Sequence, residues 1–202
     1  MASIDDETIR ERQSRVQRAG RRWEDYVYLF LRESLEDTDI EVLRGTDIDR
    51  RSELGRRLSL PLKSSLTEEC AWGDVDLVAA LGEFPIALIS CKLSLHGRFT
   101  ETLFYSILFR LLTKTKVVLA TPDAGRGQAG RWSSEWGTPE RPTKDRQLAR
   151  SYLDGVYVEN VPEFTKNRMP HEHTVLGGIV QELNALPGDI LRWSSDVRRL
   201  LP

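Results

Sequence analysis

The chain has 202 residues, 40% of them hydrophobic and 30% charged, with a formal net charge of −2; this composition supports a packed core and excludes a largely disordered protein. Since a typical domain holds about 100–150 residues, one domain with elaborations is expected, spanning residues 1–202. The near-neutral sum argues against a uniformly basic nucleic-acid binder, yet Arg and Lys cluster at residues 10–22, 49–65 and 125–150, where they can line a groove.

The start, "MASIDDETIRERQSRV", lacks the basic-then-apolar pattern of a signal peptide. No apolar run approaches the roughly 18 residues that cross a bilayer, so a cytoplasmic protein without membrane contact is expected. Cys70 and Cys91 are too few for a disulfide framework and show no zinc-ligand spacing; both read as reduced thiols.

Along residues 8–35 the apolar positions Val16, Ala19, Trp23, Val27 and Phe30 recur at three- and four-residue steps, which predicts an amphipathic helix. "DIEVLRG" reads as a short strand ended by Gly45, and residues 50–70 as a long polar connection. "VDLVAAL" and "PIALISCK", separated by the turn signal "GEF", predict an antiparallel hairpin. Strand alternation would put Ser90 and Lys92 on one face with Ile86 and Leu88, and Ile89 and Cys91 on the other; Asp76 would share a face with Val78 and Ala80.

"FTETLFYSILFRLLTK" has no Gly or Pro and is apolar nearly all round, which predicts a helix buried against the sheet. "TKVVLATP" follows as a third central strand, reached by a crossover. Residues 123–142 read as a long loop, "TKDRQLARSYL" as a helix and "DGVYVENV" as a strand. At the end, "EHTVLGGIVQELNAL" and "GDILRWSSDVRRLL" read as two amphipathic helices split by Pro187 and Gly188. Their stripe of Ile190, Trp193, Val197 and Leu200 suits either the core or a subunit interface.

Asp76 opens one strand of the hairpin and Lys92 closes the other. A carboxylate and an ammonium brought together this way suit phosphodiester hydrolysis, in which a hard divalent cation polarises the phosphoryl oxygen and a lysine assists the attacking water.

With "WEDYV" on the first helix, "GDVDLV" opening a strand and "ISCK" closing the next, residues 20–122 resemble the PD-(D/E)XK nucleases, and among them the type II restriction endonucleases. The resemblance implies an α/β fold with a central mixed sheet of about five strands flanked by helices. It also implies Mg²⁺-dependent, sequence-specific cleavage of double-stranded DNA leaving 5′-phosphate ends, a homodimer built on the C-terminal helices or the first helix, and a cognate DNA methyltransferase in the same system.

By this resemblance Asp76 is the metal-binding aspartate, with Asp74 as its competitor, Lys92 is the catalytic lysine, and Glu24 is the helical glutamate directed at metal-bound water. Ser90 departs from the pattern, standing where a second acidic residue is usual. The branch that recognises sites with a CCGG core is similar here: it carries a Ser-Cys-Lys tripeptide and takes the missing glutamate from the following helix. Glu101 is the glutamate that helix offers, although the branch's usual position, about one turn later, holds Tyr105. Asp76, Glu101 and the Cys91 backbone carbonyl would then hold the metal. The branch's arginine-containing recognition motif is replaced by His96, Gly97 and Arg98.

DNA contacts are expected from Arg98 and His96, from Arg126, Arg131, Arg141 and Lys144 in the loop at about 123–147, and from Arg50 and Arg51 in the loop at about 45–70. In the former loop Arg146 adds a further cation, and Trp132 and Trp136 are either buried anchors or interface residues. "HEH" at residues 171–173 reads as a polar helix start before it reads as a metal site, no P-loop is present, and Ser90 lacks the surroundings of a nucleophile. The rival readings are a repair or structure-specific nuclease and a DNA-binding subunit that has lost catalysis.

Overall fold

A computed structural model describes residues 4–59, 75–95, 99–123, 125, 134–161, 164 and 176–199. Its core is a mixed sheet of six strands in sequential order: β1 (Glu41–Arg44), β2 (Leu77–Leu81), β3 (Phe84–Cys91), β4 (Lys116–Thr121), β5 (Gly155–Val158) and β6 (Val180–Glu182). The first three pair antiparallel, and β3 through β6 run parallel. Every residue of β2, and β3 from Ile86 onward, is buried, as strands covered on both faces require.

Helices cover both faces. On one side lie α1 (Ile4–Ser34), through Trp23, Val27 and Leu31, and the C-terminal α5 (Leu186–Arg198), through Leu186, Ile190 and Trp193. The other side carries α2 (Glu53–Arg57), α3 (Phe99–Leu112) and α4 (Lys144–Tyr152), whose Leu54, Phe99, Leu103, Phe109 and Ala149 pack on Val78, Leu88, Val117 and Leu119.

Several expectations hold and several change. The hairpin forms as read, but a bulge passes the register from Ala79↔Ala87 to Ala80↔Pro85 and leaves Ile86 unpaired. Ile86 consequently joins Ala87 and Ile89 in the α1 and α5 core instead of sharing a face with Leu88. Within the expected polar connection, Ser52 caps the short α2 by accepting a hydrogen bond from Gly55 N at 3.0 Å.

The first of the two expected C-terminal helices is replaced, over its described part, by β6 and a 3-10 turn. Val180 is fully buried beside Val156, so pairing with β5 outweighs the local helical pattern. Pro187 lies in the first turn of α5 in place of splitting two helices, because a first-turn residue needs no backbone N–H donor. Ile190 and Trp193 lie in the core with Val197 packed against it, which settles that part of the stripe as packing; Leu200 lies outside the described residues. Among the described residues no helix is long and apolar enough to cross a membrane.

Candidate active site

The site forms where β2 begins and β3 ends. Gly45, just past β1, donates its N–H to the Asp76 carbonyl at 2.9 Å and fixes the entry into β2. A Cβ at position 45 would lie 1.9 Å from the Val75 carbonyl oxygen, so only glycine permits this approach. At the other strand end, Lys92 N donates to the Ala120 carbonyl at 3.0 Å and the Trp23 indole donates to the same oxygen at 3.1 Å. That second bond seats α1 beside the ends of these strands and brings Glu24, the next residue, to the candidate site.

Asp76 Oδ2 accepts from Cys91 N at 2.6 Å, from Lys92 Nζ at 2.8 Å and from Ser90 Oγ at 3.4 Å. No described residue donates to Oδ1, so the carboxylate keeps one oxygen for another partner. The Asp76 and Lys92 side chains are 13% and 9% exposed, so their attraction is screened far less than that of a surface pair. Ser90 Oγ also meets Thr102 Oγ1 at 3.0 Å, which ties α3 to the strand through a neutral hydroxyl pair.

Glu24 lies within the field of this pair. Burial raises its carboxyl pKa, the negative charge of Asp76 raises it further, and Arg44 and Lys92 pull it back. Arg44, at the end of β1, reaches Asp25 at 2.8 Å and Glu24 at 3.4 Å while its guanidinium covers the Tyr28 ring. It holds the acidic turn of α1 against the sheet edge. The Cys91 thiol is pushed well up by burial and by the charges of Asp76 and Glu24, which keeps it neutral and unreactive.

Glu101 stands half-buried in the first turn of α3, without a hydrogen bond or ion pair to the described residues. The α3 residues that line the small pocket on Asp76 are Thr102 and Tyr105. Asp76, Lys92 and Glu24 thus come together, and Glu101 does not join them. Sequence reading missed Arg44 and Thr102, and its only available signal was the strand ending of "EVLRG" for the first and the Ser-Cys-Lys variant for the second.

Among the described residues no cluster of three or more acidic, His or Cys side chains is preformed for a metal ion. The donors nevertheless suit Mg²⁺, which binds through one or two carboxylates plus phosphate oxygens and keeps several waters. Asp76 has an unengaged oxygen, and the mutual repulsion of Asp76 and Glu24 is what a divalent cation relieves.

Of the expected DNA contacts, Arg50, Arg51 and Arg141 are exposed on the loops before α2 and α4, and Lys144 is exposed at the start of α4. His96, Arg98, Arg126 and Arg131 lie outside the described residues, as do Asp74, Trp132, His171 and His173. Arg146 is buried and donates to the carbonyls of Gly177 at 2.6 Å and Gly137 at 3.4 Å, so it latches the loop from within. Trp136 is a fully buried anchor packed edge-on against Phe99.

The loop stem closes on Asp123, whose carboxylate accepts from Ser134 Oγ at 2.5 Å and Glu135 N at 2.8 Å. Glu135 in turn accepts from Leu95 N at 3.3 Å, which connects the loop to the segment just after Lys92.

No curated protein matches this chain. A family model does: residues 48–176, more than half of the chain, match the family described as BsaWI restriction endonuclease type 2, and the matched span contains Asp76, Ser90, Lys92 and the loop stem. The chain therefore belongs to the BsaWI type 2 restriction endonuclease family, whose members are nucleases that bind and cut double-stranded DNA at specific sequences.

Proposed function

We propose that Asp76, Lys92 and Glu24 form a Mg²⁺-dependent phosphodiesterase centre that cleaves a specific DNA sequence and leaves 5′ phosphates. The observation that carries this reading is the buried contact of Lys92 Nζ with Asp76 Oδ2 at 2.8 Å, at the ends of two paired strands inside the family-matched span. Asp76, Glu24 and the Cys91 carbonyl would hold the cation. Bound there, Mg²⁺ supplies charge stabilisation for the phosphoryl oxygens and acidifies water.

The chain's own groups do the rest. Asp76 holds the Lys92 ammonium in place through its Oδ2, and Lys92 orients the attacking water and balances charge that develops on the phosphate. Glu24, whose raised pKa reflects burial and the neighbouring Asp76, supplies the second carboxylate beside Asp76. We assign the second carboxylate to Glu24 and not Glu101, because Glu24 is the one within the field of Asp76. Ser90 and Thr102, paired as neutral hydroxyls, add no charge and keep the strand end packed on α3.

The exposed Arg50, Arg51, Arg141 and Lys144 suit contacts to the duplex. Two copies of the chain would cut both strands of a two-fold symmetric site, and a cognate methyltransferase would protect host DNA at the same sequence.

Incubating the protein with unmethylated phage DNA in Mg²⁺ or EDTA tests the reading. Discrete Mg²⁺-dependent fragments with ligatable 5′-phosphate ends are expected. A smear would indicate a nuclease without sequence specificity, and intact DNA with a gel shift a non-catalytic binding subunit.

A further inference from the structure

Each carboxylate of the proposed centre is held by a cationic side chain through one of its oxygens. Lys92 Nζ sits on Asp76 Oδ2 at 2.8 Å, and Arg44 Nη1 donates to Glu24 Oε1 at 3.4 Å. No other described residue donates to Glu24, so its Oε2, like Asp76 Oδ1, is left for a further partner.

Arg44 owes its place to the sheet. It is the last residue of β1 and pairs with Leu77 of β2, the residue after Asp76. Side chains alternate along a strand, so Arg44 shares the face of Val42, which is buried in the core beneath α1. On that face Nη1 also reaches Asp25 at 2.8 Å, and the guanidinium carbon lies 4.2 Å from the centre of the Tyr28 ring. Tyr28 follows Glu24 by one helical turn, so the strand, Asp25 and the ring fix the guanidinium from three sides.

The contact to Asp25 is the shorter of the two carboxylate contacts. Asp25 therefore balances the guanidinium, and Arg44 can orient Glu24 as a hydrogen-bond donor without an uncompensated positive charge beside a cation site.

We propose that Arg44 is a positioning residue for the cation: it fixes Glu24 through Oε1, so that the other oxygen and Asp76 Oδ1 are presented together to Mg²⁺. The inference rests on the proposed metal centre, and it names the group that shapes it.

Titration of Mn²⁺, an octahedral oxygen-binding ion like Mg²⁺, into the full chain without DNA tests it, with free Mn²⁺ followed by electron paramagnetic resonance. Arg44→Gln is expected to bind Mn²⁺ about tenfold or more weakly than the wild type, the effect of removing a group that orients a metal-binding side chain. Charge alone predicts the opposite sign, because removing a cationic group near the site tightens cation binding. In a Glu24→Gln background Arg44→Gln is expected to cost nothing further, since the residue through which Arg44 acts is already gone. Arg44→Lys keeps the charge but loses the planar contact with Tyr28, and it is expected to bind Mn²⁺ about threefold more weakly.

An Arg44→Gln protein that binds Mn²⁺ as tightly as the wild type would overturn the proposal, and where Arg44→Gln does not fold, an Arg44→Lys protein of unchanged affinity would do the same. So would an equal loss in the Glu24→Gln background, which marks Arg44 as a strut of the fold, or a loss confined to duplex binding in EDTA, which marks it as a phosphate contact. A wild type that takes up no Mn²⁺ overturns it as well.

Cleavage assays on the same proteins separate this question from the function. A wild type whose Mn²⁺ affinity depends on Arg44 but which cuts no DNA contradicts the nuclease reading alone. A wild type that cuts DNA while Arg44→Gln keeps full Mn²⁺ affinity contradicts the role of Arg44 alone.

Discussion

Glu24 has a folded-state carboxyl pKa above its ordinary value, chiefly through burial and secondarily through Asp76, so the folded chain binds that proton more tightly than the unfolded chain does. The stability this contributes is present while the carboxyl is protonated, and it is lost as pH rises from the unfolded range through the raised folded value. Glu24→Gln removes this dependence. Its melting temperature at neutral pH is expected to equal or exceed that of the wild type, while its cleavage rate falls by roughly 10- to 100-fold. Thermal melts between about pH 4 and 8 beside a rate assay check both halves.

At Gly45 the expected effect has the opposite sign. Gly45→Ala drives a methyl group into the Val75 carbonyl just where Asp76 enters β2. It should cost about 2 kcal/mol or more in a urea melt and depress cleavage with it.

Among the elements, α1 shows how a site residue depends on a distant anchor. Trp23→Phe deletes the indole donor to the Ala120 carbonyl. The expected loss is about 1–3 kcal/mol, since removing one partner leaves a buried polar group less satisfied, and cleavage weakens as Glu24 loosens. Denaturant titration with matched single-turnover rates measures both.

The hairpin was legible because two apolar runs, a turn signal and the flanking Asp76 and Lys92 all lie within one short stretch, and local alternation is enough to pair them. Arg44 and Thr102 were not legible as site residues, because their roles arise from α1 meeting β1 and from α3 meeting β3. Ile86 changed faces through a bulge that no local pattern marks. Similarly, β6 is only three residues long and owes its state to pairing with β5, so its helical periodicity misled. Glu101 was placed at the site by resemblance and by its four-residue spacing from Tyr105 on one helix face, whereas the α3 residues lining the pocket on Asp76 are Thr102 and Tyr105.

At the scale of the whole molecule, folding gathers Asp76 and Glu24 from separate elements into one field, so cation binding and folding are linked. Added Mg²⁺ should raise the melting temperature of the wild type, corresponding to about 2.7 kcal/mol at a hundredfold excess over Kd. Asp76→Asn should abolish most of that rise, as differential scanning calorimetry can show.

The most direct measurement of the central claim is single-turnover cleavage of a cognate duplex by wild type, Asp76→Asn and Lys92→Met, with duplex binding measured in parallel. Both variants are expected to bind the duplex and to cut it slower by about a thousandfold or more, in line with removing a group that stabilises the transition state. A folded variant of either kind that cuts within tenfold of the wild type would show that the Asp76 and Lys92 pair is not the catalytic centre.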